Sequence, residues 1–257
     1  MNRQKKIIEI RKCLEAGKPA IGSWIQIPHP SIAEIMGQSG YDWIAVDLEH
    51  GAIGVSQLPD LFRALELGET LPLARLAQGE PKDCKQALDA GAGGVIVPMV
   101  ESAGQLRKVR DACCWPPSGT RGVGFSRANL FGSNFSSYME EAQAPLLVAM
   151  IEHERAVNDL DAILQVEGLD AILIGPYDLS ASMGLTADFD APEFVAIMQR
   201  ICILAEEAQV PCGIHVVAPS SQELQQKLAE GYLFIAYSID AVFLRQGALN
   251  PSGARLA

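Results

Sequence analysis

The sequence predicts an α/β protein, a (β/α)8 TIM barrel with an extra N-terminal helix, and three observations carry that expectation. From residue 19 onward, short β-like runs alternate with stretches of helical spacing, the pattern of βα units around a parallel sheet. Most of those runs are nearly continuous in apolar residues and lack period-2 alternation, as strands covered on both faces do. The chain has 257 residues and 49% hydrophobic content with no linker-like stretch, so residues 1–257 are expected to form one barrel domain.

Taken in order, residues 1–17 read as an amphipathic helix ahead of the first strand, with Ile7, Ile10, Cys13 and Leu14 on one face to pack against an end of the sheet. The strand candidates are residues 20–27, 43–48, 71–76, 94–100, 146–151, 171–174, 211–217 and 233–237. Between them lie crossover helices with recognisable stops, such as Ala87-Leu-Asp-Ala90 closing at Gly91, or the stretch from Leu224 to Ala229 closing at Gly231. Two stretches depart from the regular pattern. Residues 113–145 form a long segment rich in Gly, Ser, Asn and aromatic residues, a composition that points to a functional loop. After Tyr237 only a short tail remains, so the eighth helix is expected to be short or to pack on a neighbouring chain.

Composition excludes several classes of function. With 20 Lys+Arg against 31 Asp+Glu and a net charge of −11, the chain is a poor partner for nucleic acid, which rewards dense positive patches. The opening Met-Asn-Arg-Gln-Lys-Lys has the charge of a signal peptide's first segment, but Glu9, Arg11, Lys12 and Glu15 interrupt the apolar stretch such a peptide needs next, so no secretion signal is expected. No apolar run approaches the roughly 18 to 20 residues of a membrane span, and a soluble, cytoplasmic protein is expected. Cys13, Cys84, Cys113, Cys114, Cys202 and Cys212 show no metal or disulfide spacing and read as reduced thiols.

The candidate chemistry lies at the strand ends, where a barrel builds its site. Trp24 and Gln26 end the first strand, Asp47, Glu49 and His50 the second, Arg75 the third, Glu152 and His153 the fifth, and Asp178 the sixth. Glu152 and Asp178 are one βα unit apart, so adjacent strands would set two carboxylates side by side. Two readings fit them: ligands of a hard divalent cation, magnesium or manganese, or acids that cap neighbouring helices. His50, in Val46-Asp-Leu-Glu-His-Gly51, is either a general base that Asp47 or Asp89 orients, or a structural hydrogen-bonder. Arg75 inside an apolar strand needs an anion, which is either a ligand or Glu49 or Glu152.

Absent motifs narrow the chemistry further. Lys5, Lys6, Lys12, Lys18, Lys82, Lys85, Lys108 and Lys227 all fall outside the strand candidates, which disfavours imine catalysis. The turns after the seventh and eighth strands lack phosphate-cradling glycines, and no dinucleotide or P-loop motif occurs.

Together the motifs resemble those of the class II pyruvate-dependent aldolases typified by 4-hydroxy-2-oxoheptanedioate aldolase. They stand here as Tyr41-Asp-Trp43, Asp47-Leu-Glu-His50, Arg75, Val97-Pro-Met-Val100, Pro116-Pro-Ser-Gly-Thr-Arg-Gly-Val-Gly124, Ile151-Glu152 and Ile174-Gly-Pro-Tyr-Asp-Leu-Ser180, in order over nearly the whole chain. The resemblance implies a barrel of the phosphoenolpyruvate/pyruvate superfamily, assembled as a hexamer, a trimer of dimers that exchange their last helix. It implies a divalent metal on Glu152 and Asp178, magnesium or manganese first with cobalt or zinc as alternatives. Arg75 would bind the pyruvyl oxygen, and His50 with Asp89 would serve as base and orienter. Gly175 shapes the turn whose amides at Tyr177 and Asp178 would hold the pyruvate carboxylate, while Trp24 and Asp47 would lie near the aldehyde.

The activity so implied is reversible cleavage of a 4-hydroxy-2-oxo acid to pyruvate, or a related 2-oxo acid, and an aldehyde, through an enolate that the metal stabilises. The chain departs from that pattern in having Tyr177 where the aldolases have a small residue and Met150 where they have Gln; with His153, these would alter the inner wall of the site. Related barrels include lyases acting on citrate or malyl thioesters and a citrate synthase, which stand as the alternative activity.

Overall fold

The computed structural model describes residues 1–250. Among these, α1 (Arg3–Glu15) precedes the sheet, and each strand is followed by helix. The order is β1 (Ala20–Ile25), α2 (Pro30–Gly37), β2 (Trp43–Asp47), α3 (Leu58–Leu67), β3 (Leu71–Arg75), α4 (Pro81–Asp89), β4 (Gly94–Val97), α5 (Ala103–Cys113) and α6 (Phe135–Gln143). It continues with β5 (Leu146–Ile151), α7 (Glu154–Asn158), α8 (Leu160–Leu164), β6 (Ala171–Ile174), α9 (Pro176–Ser182), α10 (Pro192–Glu207), β7 (Cys212–Val216), α11 (Ser221–Ala229), β8 (Phe234–Ile239) and α12 (Asp240–Gly247). Every strand candidate read from the sequence is a strand, and each pairs in parallel with its neighbours until β8 closes on β1.

Two apolar layers follow from the pleat, since successive side chains on a strand point to opposite faces. On β7, Cys212, Ile214 and Val216 face outward into the layer under the helices. The inward set, including Trp43, Leu73, Ile96, Val148, Leu173 and Phe234, fills the barrel. Trp43 stacks on Phe234 with ring centroids 4.4 Å apart. Its indole lies across β1 so closely that a Cβ at Gly22 would come within 2.0 Å of a ring atom, which leaves only glycine there.

Helix α1 buries Ile7, Ile10 and Leu14 against this inner layer and so closes the amino end of the barrel. Cys13, expected on the same face, is half-buried and turned toward the Lys18 and Pro19 carbonyls. Ion pairs of Arg3 with Glu141 at 2.7 Å and of Arg11 with Asp170 at 2.6 Å hold the helix in place.

The segment of residues 113–145 packs at this amino end too, because it joins α5, which runs back from the carboxyl end, to the start of β5. Arg121 donates to the Tyr138 hydroxyl at 3.1 Å, and Arg127 pairs with Glu66 at 2.7 Å. The aromatic residues that suggested a functional loop therefore lie, within this chain, at the opposite end from the polar strand termini. The eighth helix, α12, is short as expected and buries only Asp240. The six cysteines are free thiols.

Candidate active site

The carboxyl ends of the strands bring together the polar residues that apolar strands otherwise exclude. Asp47 and Arg75 are register partners on β2 and β3. Arg75 Nε donates to Asp47 Oδ1 at 2.8 Å and Nη2 donates to Oδ2. Nη1 lies 3.4 Å from Glu49 Oε2, and the guanidinium carbon stands 4.6 Å from the centroid of the Trp24 ring. Asp47 also accepts from Gln26 Nε2 at 2.8 Å and from the backbone N–H groups of Glu49 and His50. Burial pushes the Asp47 carboxyl up, but the hydrogen bonds and charge of Arg75 outweigh that and hold it below the ordinary carboxylate range.

This geometry revises two expectations. Arg75 takes Asp47 as its main partner, with Glu49 beside it. Asp47, expected near the aldehyde, is fully buried and committed to Arg75, so it reaches a ligand only through the arginine. Both follow from the register, which sets the two side chains opposite each other on adjacent strands.

Glu152 follows β5 and is 3% exposed. Its Oε2 accepts from the backbone N–H of Met99 at 3.0 Å. Met99, in the turn after β4, has a φ of 48°, a left-handed conformation uncommon outside glycine. Oε1 packs against Gly175, where a Cβ would stand 2.5 Å away, so glycine is what admits the carboxylate. Burial first, then the charges of Glu49 and Asp178, push Glu152 up to about 7, against the Met99 N–H and Arg75. Burial also raises Glu49, with Arg75 and His50 opposing it.

Asp178 is exposed in the first turn of α9, and its charge is felt at both Glu49 and Glu152. Three carboxylates thus share one field with a guanidinium already taken by Asp47. Among the described residues no group of three or more His, Cys, Asp or Glu side chains is arranged to enclose a metal. Magnesium and manganese sites need less than that, because one or two carboxylates suffice when waters and substrate oxygens complete the shell. The surplus negative charge and the glycine-shaped seat of Glu152 suit such a cation.

The N–H groups of Tyr177 and Asp178 belong to the first turn of α9 and so lack intrahelical partners. The Tyr177 ring turns away from the strand ends and meets Phe189 edge-on, centroids 5.0 Å apart. His50 is exposed, with Nε2 at 3.9 Å from Glu49 Oε2. Asp89 does not join it within this chain. It closes α4, which descends from the carboxyl end of β3 to the amino end of β4, and its neighbour there is Arg121, Nη1 to Oδ1 at 3.8 Å. Within this chain the direction of the helix therefore keeps His50 and Asp89 at opposite ends of the barrel. His153 caps α7, where its Nδ1 accepts from the Arg155 N–H at 3.1 Å; that role, and not the inner wall, is its place.

Sequence reasoning missed two residues of this end: Met99 as a donor to Glu152, and His215 on β7. Glu49, read from the sequence as a strand-end acid and a partner for Arg75, stands here as the third carboxylate. Met99 carried no signal, since a backbone N–H is common to all residues. His215 interrupts an apolar strand as Arg75 does, and that interruption was its signal. Its ring lies edge-on to Trp24, centroids 5.9 Å apart. Burial pushes the imidazole down to about 4, against a backbone hydrogen bond with Ser238. A groove of about 940 Å³ beside the mouth, between α10 and α11, includes Tyr177, Met198, Cys202, His215 and Tyr232 in its lining but neither Arg75 nor Glu152.

Along most of its length the chain is similar to known proteins. The family described as HpcH/HpaI aldolase/citrate lyase matches residues 20–246. A hydroxypyruvate/pyruvate aldolase of Agrobacterium fabrum is 39% identical over 207 residues, 79% of this chain and 77% of that protein. A 2-keto-3-deoxy-L-rhamnonate aldolase of Salmonella gallinarum is 38% identical over 232 residues, 89% and 86% of the two chains. Among solved structures, that of an HpcH/HpaI aldolase/citrate lyase family protein from Burkholderia cenocepacia matches with a TM-score of 0.86 at 29% identity, covering 93% of this chain and 95% of the other.

Proposed function

The chain belongs to the HpcH/HpaI aldolase/citrate lyase family and is a carbon–carbon lyase, and from that premise we propose that it is a divalent-metal-dependent aldolase. Its reaction is the reversible cleavage of a 4-hydroxy-2-oxo acid to pyruvate, or a related 2-oxo acid, and an aldehyde. The observation that carries this reading is that the charge of Asp178 reaches the buried Glu152 carboxyl beside an arginine held by Asp47. The relatives differ in the substrates their names give, which leaves the aldehyde open.

Glu152 and Asp178 would hold magnesium or manganese, and the ion when bound supplies Lewis acidity to the enolate formed as the carbon–carbon bond breaks. Arg75 presents positive charge where that oxyanion develops, and because Asp47 and Trp24 fix its plane, little reorganisation is needed at the moment of reaction. The free N–H groups of Tyr177 and Asp178 orient the substrate carboxylate at the start of α9. His50, exposed at the mouth, moves the proton of the 4-hydroxyl at Nε2, with Glu49 as its neighbour. Trp24 forms the apolar wall beside the arginine.

A homo-oligomer accords with α11, which buries no side chain among the described residues, and with the groove alongside it. The reading is tested by coupling pyruvate release to lactate dehydrogenase. Activity should vanish with chelator, return with manganese or magnesium, and be absent in Glu152→Ala. Activity indifferent to chelator sinks the metal assignment, and thiol release from acyl-CoA in place of pyruvate release replaces the aldolase with a thioester lyase.

A further inference from the structure

Cys202 and Cys212 stand apart from the site described above, yet their sulfurs are 4.0 Å from each other. Cys202 lies in the second half of α10, and Cys212 opens β7. The turn between them folds the helix back along the strand it leads into, through the Gln209 N–H to the Glu206 carbonyl and the Val210 N–H to the Ala205 carbonyl. Closeness of the two thiols is therefore built into the fold.

The pair is also open to small reagents. Cys202 is half-buried and lines the groove between α10 and α11. It lines in addition a cavity of about 710 Å³ at the amino end of the barrel, where Cys212 joins it beside Arg11, Gln209 and Gly231. An oxidant thus has two approaches to Cys202, one of them outside the groove that a second copy would use. Cys84 and Cys113, by contrast, lie within the outer apolar layer, 0% and 1% exposed.

The two sulfurs differ in chemistry. The Cys212 thiol against it, helped by the charge of Lys227, holds Cys202 below the ordinary thiol range, with burial and Glu230 opposing. The same contact, then burial, pushes Cys212 up. A disulfide bond is about 2.0 Å long, so the sulfurs must close about 2 Å, a distance that rotation of two side chains supplies.

We infer that Cys202 and Cys212 form a peroxide-sensitive thiol–disulfide pair, in which Cys202 reacts first and Cys212 resolves it, so that oxidation ties α10 to β7. With hydrogen peroxide as oxidant, the Cys202 sulfur attacks one oxygen, the O–O bond breaks as the S–O bond forms, and a sulfenic acid and one water result. The Cys212 sulfur then attacks that sulfur, the S–S bond forms, and the departing hydroxide takes the Cys212 proton as a second water. The thiols lose two electrons, which reduce the peroxide. The inference stands apart from the aldolase reading, since neither metal nor 2-oxo acid takes part.

Reduced wild type is treated with hydrogen peroxide, the remaining thiols are blocked with iodoacetamide, and the protein is digested. Trypsin leaves both cysteines in the peptide of residues 201–227, which has no internal lysine or arginine, and glutamyl endopeptidase then cuts after Glu206 or Glu207, between them. This peptide should be unalkylated and lighter by two hydrogens, with halves that stay joined until dithiothreitol parts them. The bond should form about 10-fold or more faster than alkylation is lost at Cys84 or Cys113. In Cys212→Ser, Cys202 should accumulate as a sulfenic acid that dimedone captures; in Cys202→Ser, Cys212 should remain open to iodoacetamide. The wild-type map stands whether or not either variant folds. Two alkylated thiols in the 201–227 peptide while Cys84 or Cys113 is oxidised, halves that separate without reductant, or cross-links only between chains overturn the inference. Dimedone capture at Cys212 of Cys202→Ser, with none at Cys202 of Cys212→Ser, overturns the order assigned to the pair.

Discussion

Arg75 meets Asp47 through a two-point fork inside the barrel, Nε to Oδ1 at 2.8 Å and Nη2 to Oδ2, between register partners on adjacent strands. A guanidinium so buried needs a counter-charge of matching planar geometry, and a carboxylate with two acceptors provides it. Trp24 covers one side of the arginine, and Glu49 stands at the remaining nitrogen. The guanidinium that lowers both Glu49 and Glu152 is thus one already occupied, which is why the acids at this end remain short of positive charge.

Asp47→Ala should leave the Arg75 charge uncompensated and destabilise the fold by about 3 to 5 kcal/mol, read from urea unfolding midpoints. Arg75→Lys should be milder in stability while removing most of kcat/KM, because an ammonium cannot reproduce the fork. Equal unfolding midpoints for wild type and Asp47→Ala would show that the pair does not hold the barrel end together.

Gly175→Ala should disturb the metal seat without disturbing the fold. The added Cβ would stand 2.5 Å from Glu152 Oε1, so the carboxylate must move. Manganese affinity by calorimetric titration should weaken about 10- to 100-fold with an unchanged circular dichroism spectrum. An affinity equal to wild type would exclude Glu152 as a ligand in this conformation.

His215 should give stability a pH dependence of defined sign. Its value of about 4 in the folded chain lies below the ordinary 6.5, so between these the unfolded chain binds a proton that the folded chain does not. Stability from this residue is therefore full above pH 6.5 and is lost as pH falls toward 4, by roughly 1 to 3 kcal/mol. Arg75 and Asp47 are the charged groups that act on it. Thermal melts at pH 4.5 and 7.5 should show a larger acid loss in wild type than in His215→Leu, and parallel curves would refute the assignment.

Tyr177→Ala should change kcat/KM for pyruvate and a short aldehyde by less than about threefold, since the ring packs on Phe189 and only its backbone N–H faces the start of α9. A large change in steady-state kinetics would mean that the ring enters the site.

The strands and their polar ends were legible because both are local properties. A run such as Leu146–Ile151, apolar on every residue, states that both faces are covered, and Glu152 directly after it states where the strand meets solvent or a ligand. Arg75 and Asp178 were legible for the same reason. The end of the barrel at which Asp89 lies was not legible, because motif order says which residues are present but not which end a helix delivers them to. The place of the aromatic segment of residues 113–145 was hidden in the same way, since composition marks a loop as unusual without marking the end it occupies.

By itself the sequence determined the barrel, the place of α1 at one end of the sheet, and the acidic set with one arginine at the strand ends. Tertiary structure alone decided that Arg75 pairs with Asp47, that Met99 donates to Glu152, that Gly175 seats that carboxylate, and that His215 Nε2 is buried without a partner among the described residues. The division has a physical cause. Burial and backbone conformation follow from neighbours along the chain, whereas the partner of a buried polar atom is set by strand register and barrel closure, which join residues far apart in sequence and are fixed only once the sheet has closed.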